Sequence, residues 1–279
     1  MTCNICEAIT SPYLMGLVLE KHKVQYFSCT SCGFIQTEKP YWLSEAYESA
    51  ISFLDVGLIQ RNMHFAPITE TLLRKWFNKK GRFLDYGGGY GMFVRIMRDY
   101  GFNFYRQDAY CENLFAKYFD VSDLAENETF ELITAFEVFE HLPDPVSALK
   151  HMLTHGDAIL FSTQVQPFKG VKPETWWYFM MDGGQHVSLY SRQSLQTLAD
   201  QFGLHYNYNE SDLHLFSKKK ISNRAFSLFT QSRNSLLYNK IYGRYSLSLT
   251  PADFRYTQSL LKKKPDAIIQ STEHGKDSH

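Results

Sequence analysis

The sequence predicts an α/β protein: a doubly wound, mostly parallel sheet with a small four-cysteine ribbon at its amino terminus. Three observations carry this. Short apolar runs such as "RFLDY", "FNFYRQD", "FELITAFE" and "DAILFSTQ" alternate with helix-like segments, and that alternation implies a parallel sheet covered on both faces. A glycine-rich stretch, "FLDYGGGYGMF", lies between the first of these strands and a helix. Two C-x-x-C pairs, "CNIC" and "CTSC", stand near the start.

The 279 residues suit one large domain and a small accessory one. A hydrophobic content of 44%, with 16% aromatic residues, is enough for a packed core. Lys+Arg and Asp+Glu both number 29, so the chain lacks the basic excess of proteins that hold nucleic acid by neutralising phosphates. No apolar run approaches the roughly 18–20 residues of a membrane span. The opening "MTCNICEAIT" has neither the basic start nor the apolar stretch of a signal peptide. The expectation is a soluble, cytoplasmic protein.

Residues 1–40 read as the ribbon. Cys3 and Cys6 are separated from Cys29 and Cys32 by 22 residues. In a reducing cytosol disulfides are the weaker explanation. Each pair can set two thiolates on one tight turn, and two such knuckles make a tetrahedral four-thiolate Zn2+ site, structural because no position stays open. Chance thiols or a redox pair are the alternatives. "VQYFSCTSCGFIQ" reads as a hairpin strand running into the second knuckle, with Gly33 suited to a left-handed turn.

Residues 41–68 read as a helical connector, and 69–218 as the main domain. There "ITETLLRKWFNKKG" is a helix that basic residues and Gly81 bring to an end. "GMFVRIMRDYG" is a second helix stopped by Gly101, and "HYNYNESDLHLFSKK" an antiparallel hairpin closing the sheet edge. Residues 219–279 read as a helical extension with a disordered tail, "STEHGKDSH". It is open to roles as a cap, a homodimer contact or a membrane-surface contact, the packed cap being favoured.

Gly87, Gly89 and Gly91 follow Asp85 in a G-x-G-x-G pattern, with Met92 where a dinucleotide-binding loop has its third glycine. Backbone amides between strand and helix can meet a ligand there. An acidic residue at the strand end suits a ligand with a positive amino group. Asp108 ends the second strand, where a carboxylate can accept from both hydroxyls of a ribose.

At these residues the chain resembles the class I S-adenosylmethionine-dependent methyltransferases. "LDYGGGYG" matches their glycine loop, "YRQD" the acidic end of the second strand and "FELITAFEVFEHLPDP" the fourth strand and its turn. The resemblance implies a Rossmann-like, seven-stranded sheet and S-adenosylmethionine as cofactor. It places Asp85, Gly87, Gly89 and Gly91 on the methionine end, Asp108 on the ribose and Glu137 at the cofactor's edge. Asp123 in "YFDVSDLAENE" is its candidate adenine contact.

The ribbon, "PYWLSEAY" and "ETWWYFMMDGGQHVSLYSRQSLQTLADQFGL" together are similar to bacterial enzymes of surface-polysaccharide and sugar modification. In sugar C-methyltransferases an E-H-x-x-x-x-S stretch follows the fifth strand. Gln185, His186, Tyr190 and Ser191 match it here, with glutamine in place of glutamate. The resemblance implies a small sugar-type acceptor, a nucleotide-activated sugar or glycan precursor, and no nucleic acid. His186 is then the candidate catalytic base, titrating near neutrality. Glu140 and His141 form a second pair, with a structural or rim role favoured. The run Trp176, Trp177, Tyr178, Phe179 is either a stacking lid or packing under a loop. The alternatives are an rRNA or tRNA methyltransferase with a zinc ribbon, and a non-catalytic S-adenosylmethionine-binding protein.

Overall fold

The computed structural model describes residues 1–48, 54–126, 128–243 and 247–262. The chain starts with a hairpin, β1 (Thr10–Val18) against β2 (His22–Cys29), and β3 (Ile35–Thr37) joins β2 antiparallel. A single turn, α1 (Leu43–Ala46), leads to the 19-residue α2 (Leu58–Trp76). This helix runs through position 68 unbroken, so one element belongs to both the expected connector and the expected main domain.

The main sheet then builds by crossovers. The elements are β4 (Arg82–Tyr86), α3 (Met92–Asp99), β5 (Asn103–Gln107), β6 (Leu132–Phe136), α4 (Pro145–Met152) and β7 (Ala158–Ser162). A two-residue strand, β8 (Ser188–Leu189), precedes α5 (Arg192–Gln201) and the hairpin β9 (His205–Tyr208) and β10 (Leu213–Ser217). Three helices follow: α6 (Asn223–Phe229), α7 (Ser232–Tyr242) and α8 (Thr250–Lys262). The expected tail "STEHGKDSH" lies outside the described residues.

The order across the sheet is β5-β4-β6-β7-β10-β9, with β4 to β7 parallel and β10 antiparallel to both neighbours. All five residues of β7 are buried, as a strand covered on both faces must be. One face packs under α4, α5 and the ribbon through Phe139, Leu149, Leu195 and Phe34. The other packs under α2, α3 and α6 through Leu72, Val94 and Phe226. The doubly wound, mostly parallel α/β fold is as expected, with six strands among the described residues rather than seven. Beside β5, where a further strand would lie, one parallel bridge joins Arg106 to Asp120. The Asp120 carboxylate there accepts from the Arg106 guanidinium at 2.6 Å, and Val121–Asp123 turns away as a 3-10 helix. The chain uses this edge for a side-chain clamp instead of a ladder.

Two joints matter for function. Arg98 of α3 forms a buried two-pronged pair with Asp253 of α8, at 2.8 and 2.7 Å, so the extension grips the helix that follows the glycine loop. The ribbon sheet takes its fourth strand from the main domain: β3 pairs antiparallel with β8, Ile35 opposite Leu189 and Gln36 opposite Ser188.

Candidate active site

A cavity of about 700 Å³ opens at the carboxyl ends of β4, β5 and β6. The chain leaves β4 there into the glycine loop. Gly87 and Gly91 sit at φ +67° and +84°, a region that side chains with a Cβ enter only under strain. A Cβ on Gly87 would also come within 2.7 Å of Val138, and one on Gly91 within 2.7 Å of Asn113. Arg106 braces the loop from below, donating to the carbonyls of Gly89 and Cys111.

Asp85 is 3% exposed and accepts from the Thr134 hydroxyl at 2.6 Å. Burial pushes its carboxyl up to about 7; the Thr134 hydrogen bond opposes this, Asp108 adds to it and Arg106 opposes it. Asp108 is the hinge of the loop. Its Oδ2 accepts from the Gly89 amide at 2.9 Å, and its Oδ1 from the amides of Tyr110 and Cys111 at 2.8 and 2.7 Å. A carboxylate oxygen has two lone pairs, so Oδ1 is filled and Oδ2 keeps one acceptor position. That leaves room for one direct hydroxyl contact rather than the two expected. Glu137 lies at φ +53°, a conformation that costs a non-glycine residue of order 1–3 kcal/mol. Ser162 holds it there, accepting from its amide at 2.8 Å and donating to its Oε1 at 2.6 Å.

At the other end of the cavity, the 3-10 turn Phe139–His141 meets the loop before β8. The Val187 amide donates to the Glu140 carbonyl at 2.9 Å and the Tyr190 hydroxyl to the Phe139 carbonyl at 2.9 Å. His186 Nδ1 lies 2.7 Å from the Tyr178 carbonyl; a carbonyl only accepts, so Nδ1 carries the proton and Nε2 holds an open lone pair. The rings of His186 and His141 meet edge to face at 5.0 Å. Tyr47, from the turn after α1, bonds His141 Nδ1 at 3.1 Å. Desolvation pushes the His186 imidazole down to about 4, opposed by the Tyr178 carbonyl. The near-neutral titration expected of this residue is therefore corrected: the ring is already neutral across the physiological range.

Glu140 is fully buried, and neither carboxylate oxygen has a hydrogen-bond partner among the described residues. Burial and the neighbouring Glu137 raise its carboxyl well above the usual range, while its own backbone amide and the nearby Tyr178 and Thr163 hydroxyls act to lower it.

The structure divides the aromatic run. Trp176, Tyr178 and Phe179 are buried under the ribbon, whereas Trp177 is 62% exposed and lines the cavity. Asp123 is not at the cavity; its Oδ2 accepts from the Asp120 amide at 2.9 Å in a capping box. Sequence reasoning missed three wall residues. Tyr110 and Tyr47 stack at 4.7 Å with rings 7° apart, and Arg61 pairs with both oxygens of Asp55 at 2.6 and 2.7 Å. A tyrosine two residues after Asp108 was the available signal for the first; nothing local marks the others.

The four ribbon cysteines converge. Their sulfurs all lie within 4.8 Å of one another, with Cys3–Cys32 at 3.6 Å and Cys6–Cys29 at 3.4 Å. A tetrahedral zinc with Zn–S bonds of about 2.3 Å holds its sulfurs about 3.8 Å apart. The Ile5 and Cys32 amides point at Cys3 and Cys29 sulfurs at 3.4 and 3.5 Å, as thiolates at a metal require. The four thiols could bind zinc.

A family model described as a methyltransferase domain matches residues 59–208, just over half of the chain. Solved structures similar to it include the plantazolicin methyltransferase with a monoazolic desmethyl analogue and SAH, at 13% identity and TM-score 0.46, over 64% of this chain and 93% of that one. An O-methyltransferase family 2 protein from Planctomyces limnophilus, in complex with apigenin, matches at 13% identity and TM-score 0.46 over 63% and 65%. A methyltransferase of calicheamicin biosynthesis in its SAH-bound form matches at 18% identity and TM-score 0.39 over 64% and 60%. At such identities and scores these assign neither substrate nor residue. No curated protein sequence matches the chain. With the glycine loop at the head of a doubly wound sheet and the family model spanning residues 59–208, the chain belongs to the methyltransferase-domain family and is an S-adenosylmethionine-dependent methyltransferase.

Proposed function

We propose that this enzyme methylates a small sugar-type acceptor, a nucleotide-activated sugar or glycan precursor, in the cytoplasm. The observation that supports it best is the single cavity running from the glycine loop to His186. Its volume of about 700 Å³ is of small-ligand size, and the exposed indole of Trp177 offers a flat face to a sugar ring. In this reading Asp85, Gly87, Gly89 and Gly91 hold the methionine end of the cofactor, Asp108 one ribose hydroxyl, and Glu137 its edge. S-adenosylmethionine supplies an electrophilic methyl on a sulfonium with a good leaving group. The protein's work is alignment and control of the acceptor's proton. His186 governs that proton: its Nδ1–H is fixed on the Tyr178 carbonyl, and Nε2 is the atom left for the acceptor side. Residues 1–40 act as a zinc-clipped ribbon that holds the acceptor loop.

The test is a panel of nucleotide sugars in thermal-shift and turnover assays, with His186→Ala beside the wild type. We expect a shift and turnover with at least one sugar, and a rate loss of about 10²–10⁴ in the variant with cofactor affinity retained. Retention on heparin at low salt, with no response to any sugar, would replace this reading with an RNA acceptor.

A further inference from the structure

The turn that carries Glu140 and His141 and the loop that carries His186 put one carboxylate and two imidazoles together at the acceptor end of the cavity. One donor atom from each lies within 4.8 Å of the others. Ligands around a cation with bonds of about 2.1 Å sit about 3–4 Å apart, so the set lies near ligand spacing.

A second observation points to a ligand. Glu140 is fully buried with both oxygens unpartnered. A buried polar group left without a partner costs about 1–3 kcal/mol, and more when charged. Buried carboxylates are retained where they are paired or coordinate metals. His186 adds a third. A ring whose Nδ1–H is anchored on a backbone carbonyl, leaving Nε2 open, is how metal-bound histidines are commonly oriented. His141 Nδ1 lies 3.1 Å from the Tyr47 hydroxyl, and the same ring reaches the Gln185 carbonyl, which a bound ion would have to replace as its partner. The surrounding charge is mixed. Arg61 acts on this region, His141 included, but Asp55 pairs with it, and the carboxylates of Glu137 and Glu140 lie within its field.

We propose that Glu140, His141 and His186 hold a divalent metal ion that binds the acceptor's hydroxyl. Two imidazoles with one carboxylate suit Mn2+, Fe2+, Co2+ or Zn2+ rather than Ca2+. A hydroxyl on such an ion ionises far more readily than a free one. Its proton passes to solvent, and the oxygen attacks the sulfonium methyl. A C–O bond forms, the C–S bond breaks, and the sulfonium becomes a neutral thioether. No further reactant is needed. The inference rests on the acceptor reading of the cavity: His186 then controls the proton through the ion.

The experiment is Mn2+ binding, by calorimetry and by the Mn2+ paramagnetic resonance signal, on full-length protein loaded with zinc so that the cysteines are filled. Glu140→Gln keeps the shape of the buried side chain, and His186→Ala is a second variant in case the first fails to fold. One Mn2+ per chain with affinity lowered tenfold or more in either folded variant is the expected result. No binding at millimolar Mn2+, or equal binding in both variants, would overturn the proposal. So would turnover that survives chelation yet falls in His186→Ala, which would leave the general-base reading of His186 intact. Mn2+ bound as expected, with no turnover on any sugar, would support the ion and remove only the sugar acceptor.

Discussion

Replacing Asp85 by asparagine separates the cost of burying a carboxylate from its use. In the folded protein without cofactor its carboxyl titrates at about 7, against about 3.9 in an unfolded chain. The folded state therefore holds the proton more tightly, and the stabilisation this gives is complete below pH 4 and lost as pH rises through 7. Integrated over pH 5.5 to 7.5, the loss is about 2 kcal/mol, or about 3–4 °C in Tm for a chain of 279 residues. Asp85→Asn keeps an acceptor for the Thr134 hydroxyl and has nothing to titrate. Its Tm should fall less than that of the wild type between those pH values, by this amount, in calorimetric scans of cofactor-free protein. Cofactor reverses the sign. An ammonium opposite Asp85 needs the ionised carboxylate, so wild-type affinity for S-adenosylmethionine should rise roughly fivefold from pH 6 to pH 7, while the variant binds weakly and without that slope. Parallel pH profiles of stability and affinity in the two proteins would refute both the raised carboxyl and its pairing with the cofactor.

Asp108→Ala should weaken S-adenosylmethionine binding about tenfold or more in calorimetry, since a hydrogen bond to a charged group contributes roughly 1.5–3 kcal/mol; wild-type affinity would remove the ribose assignment. It should also lower stability, because the same carboxylate accepts from the amides of Gly89, Tyr110 and Cys111. Cys29→Ser should cost the protein one bound zinc by metal analysis and lower its Tm, and a metal-free wild type with a variant of equal stability would end the zinc reading.

What could be read in the sequence was local. The two C-x-x-C pairs, the strands at "RFLDY" and "FNFYRQD" and the glycine loop each lie within a dozen residues, where spacing alone constrains the backbone. The six-strand count was not readable, because the chain beside β5 makes one backbone bridge at Asp120 and then turns into the 3-10 helix Val121–Asp123, a break no local pattern marks. Asp123 looked available as an acidic residue until the capping box claimed it. His186 was placed on the correct side of the sheet, but its depressed basicity comes from burial contributed by several separate segments. The unpartnered Glu140 is the extreme case, since a missing hydrogen bond has no sequence signature.

The pairing of β3 with β8 has a consequence for how the chain is made. Ile35 leaves the ribosome roughly 150 residues before Leu189, its neighbour in the ribbon sheet. During that interval the hairpin can close and take up its metal, but β3 stands as an open edge. Unpaired strand edges recruit other strands, and partly made chains are where that happens. The open row here is short, three residues in β3, and Gln36, which it carries, turns its amide back to Thr2 and Asn4 of the first knuckle. A chain truncated ahead of residue 185 keeps the clip and never covers the edge. Aggregation of such fragments, rather than simple loss of activity, is the failure this topology builds in.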